Sequence, residues 1–194
     1  IMTNDSRGSI SRSTIKDNAA NYDYGIGGGI YLFSSLIDIN DAIITGNSAG
    51  ITGGGICIDG DWWVQPASKP LIKNCLITNN TATQEGGGIA AAFSAKPIIQ
   101  NCTIVRNHTT DVNSTGSGLF ASYWADVTVN DSILWENGFG NSGVFGSQIA
   151  LSAAKSDAPA TLRISYSDIQ TAISDTNQAM DVVIAIDTTG SMNT

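Results

Sequence analysis

Apolar and polar residues alternate with a period of two in three kinds of short segment that recur along the chain. The glycine segments read GGGIYL, GGGICI, GGGIAA, GSGLFA and GSQIAL. The asparagine segments read STIKDN, AIITGN, CLITNN, CTIVRN and SILWEN, and short aliphatic runs such as LIDIND, LIKN, PIIQN, VTVND and LRIS form the third kind. A period of two predicts short strands that bury one face and expose the other.

The segments form an internal repeat of irregular length. The asparagine segments end at Asn18, Asn47, Asn80, Asn107 and Asn137, so the longest step is 33 residues (80 − 47) and the shortest is 27 (107 − 80). Equivalent positions carry the same type of side chain in each repeat, as in the column Ile15, Ile44, Ile77, Ile104, Leu134 and Ile169. Variable spacing around constant columns predicts loops of different lengths on a fixed scaffold.

Three strands per repeat with stacked equivalent positions predict a right-handed parallel β-helix over residues 1–171, with about five to six coils of about 4.8 Å spacing. A β-sandwich of short strands is the competing fold. A second aliphatic column, which includes Ile39 and Ile72, lies three residues before the small residue of the asparagine segment. That step breaks the alternation and predicts a tight corner at Asp41, Asn74, Asn101 and Asp131.

The composition narrows the possible functions. The formal net charge is −8 and no basic stripe is present, so nucleic acid is not an expected partner. The acidic residues are 15 Asp and 2 Glu, which favours turns over helices. No apolar run is long enough for a transmembrane helix, and the N-terminal residues do not resemble a signal peptide. We therefore expect a fragment that begins within a longer protein.

The repeat resembles that of secreted and surface right-handed β-helix proteins of the pectin-lyase-like superfamily. The residues that carry the resemblance are the asparagine segments, the GGGI runs and the P-x-I-x-N-C stretch, over about residues 10–171. They are also similar to the repeats of chlamydial polymorphic outer-membrane proteins, and SILWEN, GSQIAL and ISYSDIQ resemble terminal coils of such bacterial proteins. The resemblance implies an extracellular or cell-surface location, with outer-membrane attachment as one form of it.

The C-terminal stretch DVVIAIDTTGSM resembles the first strand and metal loop of a von Willebrand factor type A domain. That resemblance implies that Asp187, Thr189 and Ser191 correspond to a metal-ion-dependent adhesion site, where Mg²⁺ or Ca²⁺ would bind only in a complete domain. Residues 181–194 then form a truncated A-type domain start, and residues 172–180 form a linker. The alternative is a further β-helix strand followed by a turn.

Relatives of the predicted fold include polysaccharide lyases and glycoside hydrolases, so an enzyme has to be considered. The outward positions of the glycine segments carry one carboxylate, Asp59. Asp59 and Asp61 flank Gly60 and are interpreted as a turn, with a Ca²⁺ site as the alternative. Arg106 and Lys96 are candidate bases, but the sequence does not place them beside a carboxylate. The one histidine, His108, falls in a predicted loop.

Aromatic residues give the stronger binding hypothesis, and no catalytic residue is assigned. The predicted ligand-binding residues lie on the outer face of the glycine segments or in the loops that follow: Tyr31, Phe33, Trp62, Trp63, Phe93, Phe120, Tyr123 and Trp124. Aligned along the helix axis, they would form a surface on which sugar rings stack. The alternative is that these loops fold back and bury their aromatic rings against the sheet.

The three cysteines do not have metal-ligand spacing. Cys75 and Cys102 share the small-residue column with Ser13, Ala42 and Ser132, which favours a buried stack of free thiols over a disulfide. The whole pattern predicts a monomeric, non-catalytic surface protein that binds a polysaccharide or a surface protein in adhesion. A lyase or hydrolase is the alternative, and a purely structural stalk is the third possibility.

Overall fold

The computed structural model describes residues 1–61, 68–111, 114–139, 148–152 and 158–170, together with the backbone of 174–175 and 182–184. Within these residues the chain forms only strands, turns and loops, which build a parallel β-helix. No helix in this part of the chain is long and apolar enough to cross a membrane.

The strands follow one another in the same order in each coil. Coil 1 contains β1 (Met2–Asn4), β2 (Arg7–Ser11), β3 (Thr14–Lys16) and β4 (Ala19–Ala20), and coil 2 contains β5 (Ile30–Phe33), β6 (Leu36–Asn40), β7 (Ile43–Thr45) and β8 (Ser48–Ala49). Coil 3 contains β9 (Ile56–Asp59), β10 (Leu71–Lys73), β11 (Leu76–Thr78) and β12 (Thr81–Ala82), and coil 4 contains β13 (Ile89–Ala92), β14 (Ile98–Gln100), β15 (Thr103–Val105) and β16 (His108–Thr109).

The later coils begin in the same way. Coil 5 contains β17 (Leu119–Ser122), β18 (Asp126–Asn130), β19 (Ile133–Trp135) and β20 (Gly138–Phe139). Coil 6 contains β21 (Ile149–Ser152), β22 (Thr161–Ser165) and β23 (Asp168–Ile169), after which come β24 (Ser174–Asp175) and β25 (Val182–Ile184).

Stacking of the coils produces four parallel sheets, and the prediction of three strands per coil is wrong. In the described residues sheet A has seven strands (β1, β5, β9, β13, β17, β21, β24) and sheet B has seven (β2, β6, β10, β14, β18, β22, β25). Sheet C has six (β3, β7, β11, β15, β19, β23), and sheet D has five strands of two residues each (β4, β8, β12, β16, β20). A two-residue strand has no alternation to detect, so the pattern could not reveal sheet D.

The predicted columns form the interior. Ile44, Ile77 and Ile104 pair in register in sheet C, and Ile39, Ile72 and Ile99 do so in sheet B. These side chains are fully buried. One coil cannot cover its own apolar face, so the fold is stabilised by each coil packing on its neighbours. The core therefore runs along the axis, and the outer faces and loops remain for function.

The corner between sheets B and C has the predicted backbone. Asp41, Asn74, Asn101 and Asp131 have φ between 50° and 54°, in the left-handed region that Asn and Asp tolerate. A second left-handed corner lies between sheets C and D, at Asp17, Gly46, Asn79, Arg106 and Glu136. The repeated asparagine follows the second corner and lies directly before the sheet D strand of each coil.

The repeated asparagines form a ladder of amide hydrogen bonds inside the helix. The Nδ2 atoms of Asn18, Asn47, Asn80 and Asn107 each donate to the Oδ1 atom of the next asparagine, the last being Asn137, at 2.9 Å. Each acceptor Oδ1 atom also accepts the backbone N–H of the preceding asparagine, at 3.0 to 3.1 Å. The amides thus satisfy one another in a buried position where an unpaired amide would be costly.

Gln148 ends this ladder. It stands where earlier coils have the third glycine of GGGI, and its Oε1 atom accepts from Asn137 Nδ2 at 2.6 Å. Its Nε2 atom donates back to the Asn137 carbonyl at 2.9 Å. A longer amide side chain from the next coil therefore replaces the missing sixth asparagine.

At the C-terminal end the described backbone continues sheet B. Val182 to Ile184 pair with Leu162 to Ile164 of β22. This pairing is the one expected if DVVIAID is a further β-helix strand and not the start of an A-type domain. Asp187, Thr189 and Ser191 lie outside the described residues. The linker, the A-type domain start and its metal loop therefore stay predictions.

Candidate functional site

A groove with a volume of about 370 Å³ crosses the outer face of sheet A. Its floor includes Phe120 of β17 and small side chains from coils 3 to 6: Cys57, Ala90, Ala92, Ser122 and Ser152. One side is formed by residues that precede the strands, Ile26, Thr52, Gln84 and Glu85. The other side is formed by Phe93 and Tyr123, which follow β13 and β17.

The strand register explains the shape of the groove. The outward columns expected from the sequence are confirmed, because Tyr31 pairs with Cys57 and Phe33 pairs with Asp59. Cys57 and Asp59 pair in turn with Ala90 and Ala92. Large side chains in coil 2 are therefore followed by small ones in coils 3 and 4, which leaves a depression in the sheet surface.

Two aromatic rings stand one above the other at the side of the groove. The ring centroids of Phe93 and Tyr123 are 4.8 Å apart and the ring planes differ by 18°, so the stack follows the spacing of the coils. Phe93 and Tyr123 have φ of 53° and 47°, and Ser94 and Trp124 after them have 65° and 60°. These residues form the corner between sheets A and B, where Ser34 of the coil that contains β5 also has a positive φ, of 46°.

The predicted aromatic surface is partly assembled. Tyr31, Phe33, Phe93 and Tyr123 are half-buried on this face, and Tyr31 and Phe33 have ring centroids 6.4 Å apart. Phe120 is buried in the outward column, whereas Trp124 is 40% exposed. Trp62 and Trp63 lie outside the described residues. The rings are therefore neither all free nor all buried, and the stacked pair lies at the groove itself.

Asp59, the one carboxylate of the outward columns, was interpreted from the sequence as a turn residue, with a Ca²⁺ site as the alternative, and not as part of the binding surface. It is the last residue of β9 and is 8% exposed, so its interpretation as a turn residue is wrong. Tyr31 donates its hydroxyl to Asp59 Oδ2 at 3.1 Å, and Cys57 Sγ lies 3.8 Å from Asp59 Oδ1. Its place in the outward column beside Phe33 was the available signal.

Burial raises the pKa of Asp59 to about 6, although the bonds from Tyr31 and Cys57 act in the opposite direction. Burial, followed by the charge of Asp59, raises the pKa of Tyr31 and that of the Cys57 thiol. Asp59 therefore exchanges its proton near neutral pH, while its two neighbours stay protonated.

We expect Asp59→Asn to increase stability at neutral pH by about 3 kcal/mol, because the folded state raises the pKa of Asp59 above its ordinary value. The folded state binds the Asp59 proton more tightly than the unfolded state does. The parent protein is therefore most stable below pH 3.8, the ordinary pKa of the group, and loses this stability as the pH rises to about 6. Urea unfolding of both proteins across this range measures the difference. A gap that does not widen between these two pH values would contradict the prediction.

Glu85 is a second carboxylate at the groove. It is half-buried before β13, and burial followed by the charge of Asp111 raises its pKa. The candidate bases lie elsewhere: Arg106 bonds to Glu136 at 2.8 Å, and Lys96 is exposed before β14. His108 lies in β16 rather than in a loop, with Nδ1 3.0 Å from the Gly138 carbonyl oxygen.

The cysteines are free thiols, and the predicted buried stack of Cys75 and Cys102 is present. All three are free and buried, and Cys75 and Cys102 stack in the small-residue column with their sulfurs against the carbonyls of Lys73 and Gln100. Among the described residues no group of three His, Cys, Asp or Glu side chains is placed to hold a metal ion. Asp59 and Asp61 accordingly form no such group in this part of the chain.

Comparison with known proteins places the chain in a family. A family model described as the right-handed β-helix region matches residues 1–172, which is most of the chain and includes the whole groove. Searches of the curated proteins and of the solved structures found no significant match.

Proposed function

We infer the function from one premise: the chain belongs to the right-handed β-helix family. We propose that the sheet A groove binds a polysaccharide without cleaving it, in a secreted or cell-surface protein that acts in adhesion. The observation that carries this proposal is the parallel stack of Phe93 and Tyr123 beside the groove.

The stack suits a sugar chain for two reasons. In the stacked pair each ring keeps one face that is turned away from the other ring, and such an apolar face can pack on the C–H face of a sugar, while the Tyr123 hydroxyl adds a polar tip. The two rings are half-buried and pack on each other at a corner of the β-helix, so little conformational entropy is lost when a ligand binds. A floor of alanine and serine side chains leaves room for the chain to lie across the coils.

We expect Tyr123→Ala to weaken polysaccharide binding about tenfold, which corresponds to about 1.4 kcal/mol of lost stacking. Affinity gel electrophoresis against a panel of soluble polysaccharides measures the retention. Trp135→Ala is the matched control, because Trp135 is an aromatic residue 39% exposed on sheet C, away from the groove. An equal loss of binding in both variants, or a loss in neither, would contradict the proposed site. If the parent protein retained no polysaccharide at all, a purely structural stalk would be favoured.

A glycoside hydrolase is the second candidate, because Asp59 has a pKa suited to a general acid. Such enzymes use two carboxylates at a defined separation, and Glu85 is the other carboxylate of this groove. Release of reducing ends from the retained polysaccharide, abolished by Asp59→Asn, would replace the binding function with this one.

A further inference from the structure

The described residues that line the groove include two carboxylates. Asp59 lies on the floor and Glu85 on the side that precedes the strands. Among the described residues that line the groove there is no lysine or arginine. The chain as a whole carries a formal charge of −8, so the field at this surface does not favour an anionic ligand.

Neither carboxylate has a cationic partner within the described residues. The ion pairs there join Lys16 to Asp17, Arg106 to Glu136, and Arg163 to Asp126, all outside the groove. The groups that face Asp59 are the Tyr31 hydroxyl and the Cys57 thiol, both protonated, and the neighbour that affects Glu85 is the acidic Asp111. Ionisation of both carboxylates therefore carries a desolvation cost, and a cation bound in the groove would offset that cost.

We propose that the groove recognises a glycan that carries free amino groups. A ligand ammonium placed over the floor donates to the Asp59 carboxylate, and a second one along the chain is attracted to Glu85. The sugar rings lie against the stacked pair of Phe93 and Tyr123. This inference rests on the proposed binding function and adds the charge class of its ligand.

Charge complementarity selects this occupant over the other glycans. An ammonium donates up to three hydrogen bonds and restores the charged form of a buried carboxylate, whereas an N-acetylated sugar of the same backbone offers a neutral amide. A uronic acid polymer would bring further carboxylates towards Asp59 and Glu85 and would be repelled.

The test compares three glycans on the whole chain at low salt by isothermal titration calorimetry. The probes are glucosamine oligomers, N-acetylglucosamine oligomers of the same length, and galacturonic acid oligomers. We expect the amino form to bind at least about tenfold more tightly than the acetylated form, with an advantage that shrinks as salt is added.

Asp59→Asn and Glu85→Gln should each reduce that advantage, and the double variant should remove it. Glu136→Gln is the matched control, since it removes the same charge from a residue that pairs with Arg106 outside the groove. Equal binding of the amino and acetylated forms would overturn this inference and leave the proposed function standing. Tighter binding of the galacturonic acid oligomers, or stabilisation of the protein by Ca²⁺ alone with no preference among glycans, would also overturn it. Absence of binding to every glycan would refute the proposed function itself.

Discussion

Asn80→Ala is expected to lower the free energy of unfolding by about 4 kcal/mol, because the side chain is a central rung of a buried amide ladder. Its Nδ2 atom donates to the Ile44 carbonyl and to Asn107 Oδ1, both at 2.9 Å. Its Oδ1 atom accepts the backbone N–H and the Nδ2 atom of Asn47. Alanine removes these four bonds and leaves the buried backbone N–H of Asn47 without its acceptor.

Asn18→Ala is the matched comparison for this prediction. Asn18 belongs to the same ladder, but it lies at the exposed end, where its Nδ2 atom donates to Asn47 Oδ1 and to the Lys16 carbonyl. Water can replace what is lost there, so we expect a decrease of about 1 kcal/mol. Chemical denaturation of the three proteins measures both effects. Similar losses for Asn18→Ala and Asn80→Ala would show that burial of the ladder does not determine its contribution.

Gly55→Ala is expected to cost about 3 kcal/mol or more, because a methyl group has no space between coils 3 and 4. A Cβ atom at Gly55 would lie 2.6 Å from the carbonyl oxygen of Gly88 and 3.0 Å from Asn80 Nδ2. The first contact is with backbone that is fixed by the strand spacing, so the coils would have to separate locally. The thermal unfolding temperature, measured by circular dichroism, should fall accordingly.

Gly138→Ala provides the control for this substitution. Gly138 begins β20, which pairs with β16 of the coil before it, yet nothing lies within 4 Å of its added Cβ atom. We expect no loss of stability there, and a gain of a few tenths of a kcal/mol is consistent with the reduced freedom of the unfolded chain. A comparable loss in both variants would mean that the coils separate easily and that the close approach at Gly55 is unimportant.

Much of the fold could be predicted because its columns repeat in the sequence. Ile44, Ile77 and Ile104 have the same spacing from their asparagines, and the structure pairs them in register. The residues at the first corner were predictable for a local reason, since Asp41 and Asn74 belong to the residue types that tolerate a left-handed backbone. Sheet D was not predictable, because strands such as Thr81–Ala82 are too short to show a period.

The candidate site was predictable only in outline. The period of two placed Tyr31, Phe33 and Asp59 on the outer face of sheet A, and their pairing confirms that phase. The depth of the groove could not be predicted, because it depends on which side chains stand beside one another in different coils. The importance of Asp59 likewise follows from its burial beneath a Tyr31 hydroxyl that lies 28 positions away in the sequence.

The sequence by itself determined that this protein is a stack of similar coils with an aliphatic interior, since local alternation and recurrence specify strands and columns without knowledge of distant contacts. The tertiary structure alone decided how the polar positions are used. Asn80 became a rung of a buried ladder and Gln148 became its end, because amides in successive coils lie one strand spacing apart. Stacking of the coils also made Asp59 a buried acid in a groove. Its pKa is raised because the neighbouring coils exclude water, and they do so only after they have stacked.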